Sequence, residues 1–352
     1  MQSTPQQKPF VVPIFIPHAG CPNQCVFCDQ TRTTGQSDAF PTADQLQAAI
    51  AQFLSYRRDP ARPTEIAFFG GNFLGMDRER ILFLLELGAT YVSQGTARGL
   101  RFSTRPDTIT PTTLKLISDF PVTTIELGVQ SMNNRVLEIS RRGHTARDTH
   151  QAMALLRPEP YRLGLQMMVG LPGDTPVQAL ATGEAIAALA PDFVRIYPTL
   201  VLKGSPLARW HAQGRYVPMP LSEAIDLVKS LLALFLGKNI KVIRMGLQPT
   251  ADLNSGAGVV AGPFHPAFGE LVHSALWRDA MHKWMSTHSI DGQSIEITVH
   301  PSVLSRIKGY RNDNLRWIGR EFSAVRIITR ASSKLPIDQV LLNGQACHQL
   351  LQ

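Results

Sequence analysis

At 352 residues, 44% apolar and 18% charged, the chain has globular composition and length enough for one α/β barrel plus an appendage, which excludes a disordered or fibrous polymer. Four cysteines are too few for a disulfide scaffold, and apolar runs such as Leu231 to Leu236 fall far short of the roughly 20 residues that span a bilayer. The net charge of +8 favours an anionic partner such as nucleic acid, although the basic residues are scattered and a merely basic, soluble surface accounts for them as well.

Residues 1–9 (MQSTPQQKP) lack both a hydrophobic pattern and the layout of a signal peptide, so they are expected to form the flexible N-terminus of a cytoplasmic protein with no membrane contact. Short β-type runs then alternate with amphipathic stretches. Strands are expected near 11–16, 64–69, 99–103, 123–129, 162–169, 192–197 and 240–245, and helices at about 42–57, 77–94, 111–118, 133–140, 147–156, 177–190 and 222–237. Thr42 with Gln45 makes a capping box, while Thr110 and Thr175 each precede a proline at the first helical position. Strands joined through helices run parallel and are covered outside, as an open doubly wound sheet or a partial TIM-like barrel. Past about residue 250 come a Gly/Ala/Pro-rich connection, one long helix and two β-type runs, SIEITVH and AVRIIT. The expected organisation is therefore an α/β unit over 10–250 and a small α+β appendage over 251–352. Within the connection, Val259 to Pro266 has little helical or strand pattern and reads as a loop capping the barrel or as a linker.

Cys21-Pro-Asn-Gln-Cys25-Val-Phe-Cys28 follows the first strand directly, in the loop at its C-terminal end, where the active sites of such folds gather. Gaps of three and two residues let one short loop supply three of the four thiolates of an iron–sulfur cubane, leaving one iron open to a chelating ligand. Structural zinc needs four closed ligands, and the loop adds only His18 to the three thiols; a redox pair, Cys25 with Cys28, leaves Cys21 unexplained. Cys347 reads as an ordinary surface or tail cysteine.

A CxxxCxxC loop after a first strand is similar to the hallmark of the radical S-adenosylmethionine (SAM) superfamily. Ser103-Thr-Arg-Pro-Asp107, Ile125-Glu-Leu-Gly-Val-Gln-Ser131, Arg142-Gly-His-Thr145 and Val194-Arg-Ile-Tyr-Pro-Thr-Leu-Val201, then Lys203-Gly204, closely resemble the radical SAM domain of the Elongator catalytic subunit, a tRNA wobble-uridine modifying enzyme, over roughly residues 10–217. The resemblance implies a partial TIM-like (β/α) radical SAM barrel holding a [4Fe–4S] cluster on Cys21, Cys25 and Cys28. It further implies reductive cleavage of SAM to a 5′-deoxyadenosyl radical, an electron donor of flavodoxin or ferredoxin type, and tRNA as a partner. Two features depart from that subunit: its first cysteine gap is much wider, and the stretch after residue 250 is too short for its acetyltransferase domain.

The motif style is also similar to that of oxygen-independent coproporphyrinogen III oxidase. By these resemblances, Phe27 lies against adenine, and Gly70-Gly71-Asn72 binds the methionyl amino group, with Asn72 as the side chain. Arg142, twelve residues after Gln130, takes the SAM carboxylate, with Arg141 as its rival; Ser103, Gln130 and Gln166 serve the ribose. Met168 to Pro172 is an adenine wall or plain core and turn, while His144 and Tyr197 contact substrate or simply pack, so no residue is assigned a catalytic role. Besides RNA modification, two readings stand: radical modification of a small molecule, peptide or tetrapyrrole-like metabolite, and a non-catalytic iron–sulfur or zinc-binding module.

Overall fold

A computed structural model describes residues 9–16, 19–21, 25–28, 40–247, 258–288, 294–322 and 326–347. The expected flexible N-terminus, residues 1–8 above all, and most of the connection after residue 247 lie outside the described residues. The chain runs through β1 (Phe10–Phe15), α1 (Ala43–Ser55), β2 (Thr64–Phe69), α2 (Arg78–Ser93), β3 (Gly99–Thr104), α3 (Pro111–Ile117), β4 (Val122–Gln130), α4 (Asn134–Ile139), α5 (Ala146–Leu156), β5 (Arg162–Val169), α6 (Pro176–Ala188) and β6 (Phe193–Pro198). A two-residue strand β7 (Val201–Leu202), α7 (Pro206–Ala212), α8 (Leu221–Gly237) and β8 (Lys241–Met245) follow. Thr42 and Thr110 make capping boxes, and Thr175 caps α6.

Seven of these strands form one parallel sheet in the order β1-β2-β3-β4-β5-β6-β8. A doubly wound sheet reverses its order at a switch point; this sheet never does. Right-handed crossovers therefore keep every helix on the same side, and the sheet curls into a half-barrel whose two edges are β1 and β8. Alternation does the rest. Val12, Ile14, Ile66, Phe68, Leu100, Phe102, Ile125, Leu127, Leu165 and Met167 are buried in the main apolar core with the helices. Their neighbours Glu65, Arg101, Ser103, Glu126, Gln166 and Arg195 join one another by hydrogen bonds and ion pairs on the opposite, luminal face.

The remaining chain supplies β9 (Val259–Ala261), α9 (Phe268–Thr287), β10 (Ser294–Val299), α10 (Leu304–Lys308), α11 (Asp313–Glu321), β11 (Arg326–Ala331), β12 (Val340–Leu342) and β13 (Gln345–Cys347). The second sheet runs β11-β10-β12-β13, with β10 and β11 parallel and the other pairs antiparallel. Two expectations are corrected. Part of the segment after Val259 is a strand after all, because β9 pairs with β7, and three residues are too few to show a period of two. Cys347 is no surface cysteine: the β12–β13 hairpin folds the tail back, leaving it 1% exposed with its Sγ 3.6 Å from the Ala280 carbonyl oxygen.

Helix α9 serves two cores. Phe268 and Val272 belong to the barrel core, whereas Trp277, Met281 and Trp284 pack in the appendage core with Ile295, Ile297 and Ile318. Lys229 of α8 reaches across to Asp279 of α9 at 2.6 Å. Among the described residues no helix is long and apolar enough to cross a membrane.

Met281→Ala is expected to lower the stability of the appendage by about 2–5 kcal/mol, the usual cost of a large-to-small change at a fully buried site. Urea denaturation followed by tryptophan fluorescence checks this, because three of the four tryptophans, Trp277, Trp284 and Trp317, lie in or against that core.

Candidate functional site

Strand β1 leads to Gly20 and Cys21 at the C-terminal end of the half-barrel, where backbone lies directly on backbone. A Cβ on Gly71 (φ +61°) would stand 2.2 Å from the Ala19 carbonyl oxygen, and one on Gly20 (φ +68°) 2.3 Å from the Asn72 carbonyl oxygen. Only glycine gives both the left-handed backbone and the close approach. Asn72, 1% exposed, fastens this contact: its backbone N–H donates to Ala19 O at 2.7 Å, and its Nδ2 to Gly20 O at 3.0 Å. Its Oδ1 accepts from Thr104 Oγ1 (2.8 Å), Arg105 N (2.9 Å) and Thr108 Oγ1 (3.2 Å). Through these bonds the amide acts as a clamp on the cysteine loop.

Cys25 is buried and Cys21 and Cys28 are half-buried, and two guanidiniums act on Cys21 and Cys25. Arg142, 8% exposed, directs Nη1 at Cys25 Sγ (3.5 Å) and donates Nη2 to Gly128 O (2.7 Å), while its Nε is buried without a hydrogen-bond partner among the described residues. It is therefore no solvated helix-end arginine, in contrast to its rival Arg141, which faces solvent. Arg105, 1% exposed, grips Asp107 through bonds of 2.9 and 2.8 Å, and its Nη1 is buried without a hydrogen-bond partner among the described residues. Burial pushes the Cys21 thiol up, and Arg142 and Arg105 pull it down. Arg105 stood within a quoted motif, but nothing in the sequence marked it as reaching the thiols.

Among the described residues, no three His, Cys, Asp or Glu side chains converge as they would around a single metal ion. A cubane distributes its thiolate ligands over separate irons, and the positive charge that Arg142 and Arg105 bring to Cys21 and Cys25 suits such an anionic group.

The end of β4 carries a second feature of this kind. The register shifts between Gly128 and Gln130, which sits at φ +66° with its Oε1 buried and without a partner among the described residues. A buried open acceptor calls for a donor such as a hydroxyl. Ser103 and Gln166 lie deeper, with Gln166 in register with Gly128, and both are engaged: Gln166 Nε2 donates to Ser103 Oγ (3.2 Å) and Glu126 Oε2 (2.9 Å). Glu126, 0% exposed, also binds Arg195 (2.8 Å) and Arg101 (3.7 Å), and Arg101 pairs with Glu65 at 3.1 Å. Arg195 lies over the Phe69 ring at 5.0 Å; β2 and β6 are not neighbours in the sheet, so this contact crosses the lumen. Sequence reasoning assigned no role to Glu126, Arg101 or Arg195, whose signal was a charge at alternate positions of otherwise apolar strands.

The other expected residues are spread around the rim. Phe27 packs against Val26, Val201, Leu207 and Tyr216, and Tyr216 donates to Gly170 O (2.6 Å) in the Met168-to-Pro172 turn. Burial raises Asp174, beside that turn, to about 6. Tyr197 Oη accepts from Arg195 Nη1 at 3.3 Å. His144 bonds Val129 O through Nε2 (3.1 Å), and burial, then the charge of Arg142, lowers its pKa to about 4.

Two families match this chain: the Radical SAM superfamily over residues 15–185 and the Radical SAM C-terminal domain over 191–278. A tRNA uridine(34) acetyltransferase of Dehalococcoides mccartyi is 28% identical over 246 residues, 61% of this chain and 54% of the relative. Elongator complex protein 3 of Saccharomyces cerevisiae is 28% identical over 190 residues, 48% of this chain and 34% of the relative. The chain thus spans about half the length of the first and a third of the second. Among solved structures, the archaeal Methanocaldococcus infernus Elp3 with an N-terminal deletion shares the fold, with a TM-score of 0.60 and 21% identity over 79% of this chain and 63% of that one.

Gly71→Ala is expected to displace the cysteine loop, lowering both the melting temperature and the iron taken up on anaerobic reconstitution; unchanged iron content would contradict the close approach. Because the folded value of His144, about 4, lies below its ordinary 6.5, folding favours the neutral ring. That contribution is complete above about pH 6.5 and drains away as pH falls toward 4, by at most about 1.4 kcal/mol per pH unit. Urea denaturation of cluster-free protein from about pH 7 to about pH 5 should show this extra slope in the wild type and not in His144→Gln.

Proposed function

Because this chain belongs to the radical SAM superfamily, we propose that it holds a [4Fe–4S] cluster on Cys21, Cys25 and Cys28, cleaves SAM reductively, and acts on tRNA at a uridine. The single observation that carries the reading is the meeting of Cys25 with Arg142 at 3.5 Å, beside the open acceptor of Gln130, at the C-terminal end of the half-barrel. Bound there, the cluster and SAM supply a 5′-deoxyadenosyl radical.

The chain's own residues do the holding. Arg142 offers paired donors to a carboxylate next to a cluster ligand, a task its planar fork suits better than an ammonium would. Gln130 Oε1 receives a ribose hydroxyl, and the Gly70–Gly71 turn lets backbone carbonyls approach an amino group beside Asn72. Phe27, on the same loop as the thiols, closes the adenine side and keeps water out. Ser103 and Gln166 act one layer deeper, on whatever enters the lumen. A reductant of flavodoxin or ferredoxin type and a cytoplasmic setting complete this reading.

The names of the relatives, tRNA uridine(34) acetyltransferase and Elongator complex protein 3, support tRNA as the substrate. A second reading, a small-molecule substrate, draws on the lumen itself, where Arg195, Tyr197 and Gln166 stand where a closed barrel packs branched apolar side chains.

Anaerobically reconstituted protein is expected to carry about four irons per chain and to release 5′-deoxyadenosine from SAM with dithionite, and Cys25→Ala to do neither. Absence of that product from iron-loaded wild type would sink the enzyme. Nucleoside analysis of tRNA from deletion and complemented strains decides the substrate: identical profiles would leave the small-molecule reading.

A further inference from the structure

The turn between α10 and α11 is built at some cost. Gly309, at φ +77° and ψ 170°, is followed by Arg311 (φ +53°) and Asn312 (φ +63°), two successive side-chain-bearing residues in the left-handed region. Such conformations persist where the surroundings over-determine them. Here the anchor is Asn314, 3% exposed, whose Nδ2 bonds Ser274 O (3.0 Å) and Ile307 O (3.2 Å) and so fixes the start of α11 to α9. Arg306 adds a bidentate pair to Glu270 at 2.8 and 2.7 Å.

What this rigid turn presents is a ring and a row of cations. Tyr310 is 54% exposed, with the Arg311 guanidinium 5.2 Å from its ring centre. Arg316 Nη1 donates to Arg311 O (2.8 Å) and Arg320 Nε to Arg316 O (3.3 Å), so the three arginines follow one another from the turn onto the exposed side of α11. Two carboxylates lie among them: Asp313, 3.5 Å from Arg316, and Glu321, 3.9 Å from His282. Among the described residues Lys308, Arg311 and Arg320 have no ion pair.

The platform also stands at the right end of the molecule. Tyr310 meets His265 edge to face at 5.5 Å, and His265 lines a hollow with Pro198 and Gly246, at the C-terminal ends of β6 and β8. The cysteine loop follows the same end of β1.

We propose that Tyr310, Arg311, Arg316 and Arg320 form a docking surface for RNA, in which the arginines take backbone phosphates and the tyrosine ring stacks an unpaired base. The inference rests on the reading of tRNA as substrate and names the surface that receives it. A ring between cations matches nucleic acid, because every base offers a face for stacking and every phosphate a charge.

The test titrates anaerobically reconstituted full-length protein with bulk transfer RNA at several salt concentrations. Tyr310→Ala weakens binding about tenfold and Tyr310→Phe restores it. Arg316→Ala with Arg320→Ala reduces the slope of log affinity against log salt by about 1.4, the share of two single-strand phosphate contacts. Arg330→Ala, whose guanidinium pairs with Glu296 on the appendage sheet at 2.8 Å, changes neither. SAM cleavage without RNA stays at the wild-type rate throughout, which reports an intact fold. If wild type retains no tRNA at low salt, the tRNA reading falls and this surface with it. If wild type binds but Tyr310→Ala binds as well, or Arg330→Ala loses as much, the surface is overturned and the tRNA reading stands.

Discussion

One side-chain amide holds the working end of this protein together. Asn72 joins the turn before Cys21, the end of β2 and the segment after β3 through five hydrogen bonds, three of them to a single oxygen. A buried amide with every group satisfied stabilises modestly in net terms, whereas leaving its partners unmatched in a dry site is expensive. The geometry is thus set by an all-or-nothing contact, and the close glycine approaches at Gly20 and Gly71 are its steric counterpart.

Behind that end lies a lumen unlike a packed barrel core. Glu126 has no exposure and is shared between Arg101 and Arg195, while Glu65 balances Arg101 from the other side. Burying such a network confers little stability by itself, since desolvation offsets most of the Coulombic gain. Its value lies in orientation. The network fixes Gln166 and Ser103 below Gln130 and holds Arg195 across the lumen against Phe69, giving the space under the cysteine loop a polar, shaped floor.

Much of this was legible in the sequence, for reasons that can be named. The alternation of strands and helices with their capping hydroxyls located the seven strands, and the cysteine spacing located the loop. Composition could not choose between a doubly wound and a curled sheet, because strand order is a long-range property that local periodicity does not encode. Arg142 was singled out by its spacing from Gln130, yet its approach to Cys25, 117 positions away, exists only once the barrel closes around both. The clamp that Asn72 makes on Ala19 and Gly20 was hidden for a similar reason, since those residues lie more than fifty positions away. Strands β9, β12 and β13 are three residues each, below the length at which alternation can be told from chance.

Helix α9 contributes its first turns to one core and its later turns to the other. A continuous α-helix transmits rotation and displacement along its axis with little loss, so the two halves of the chain are geared rather than merely tethered. The appendage accordingly cannot be exchanged as a cassette by cutting near residue 250: the transplanted piece would carry off Phe268 and Val272, leaving a hole in the barrel it left behind.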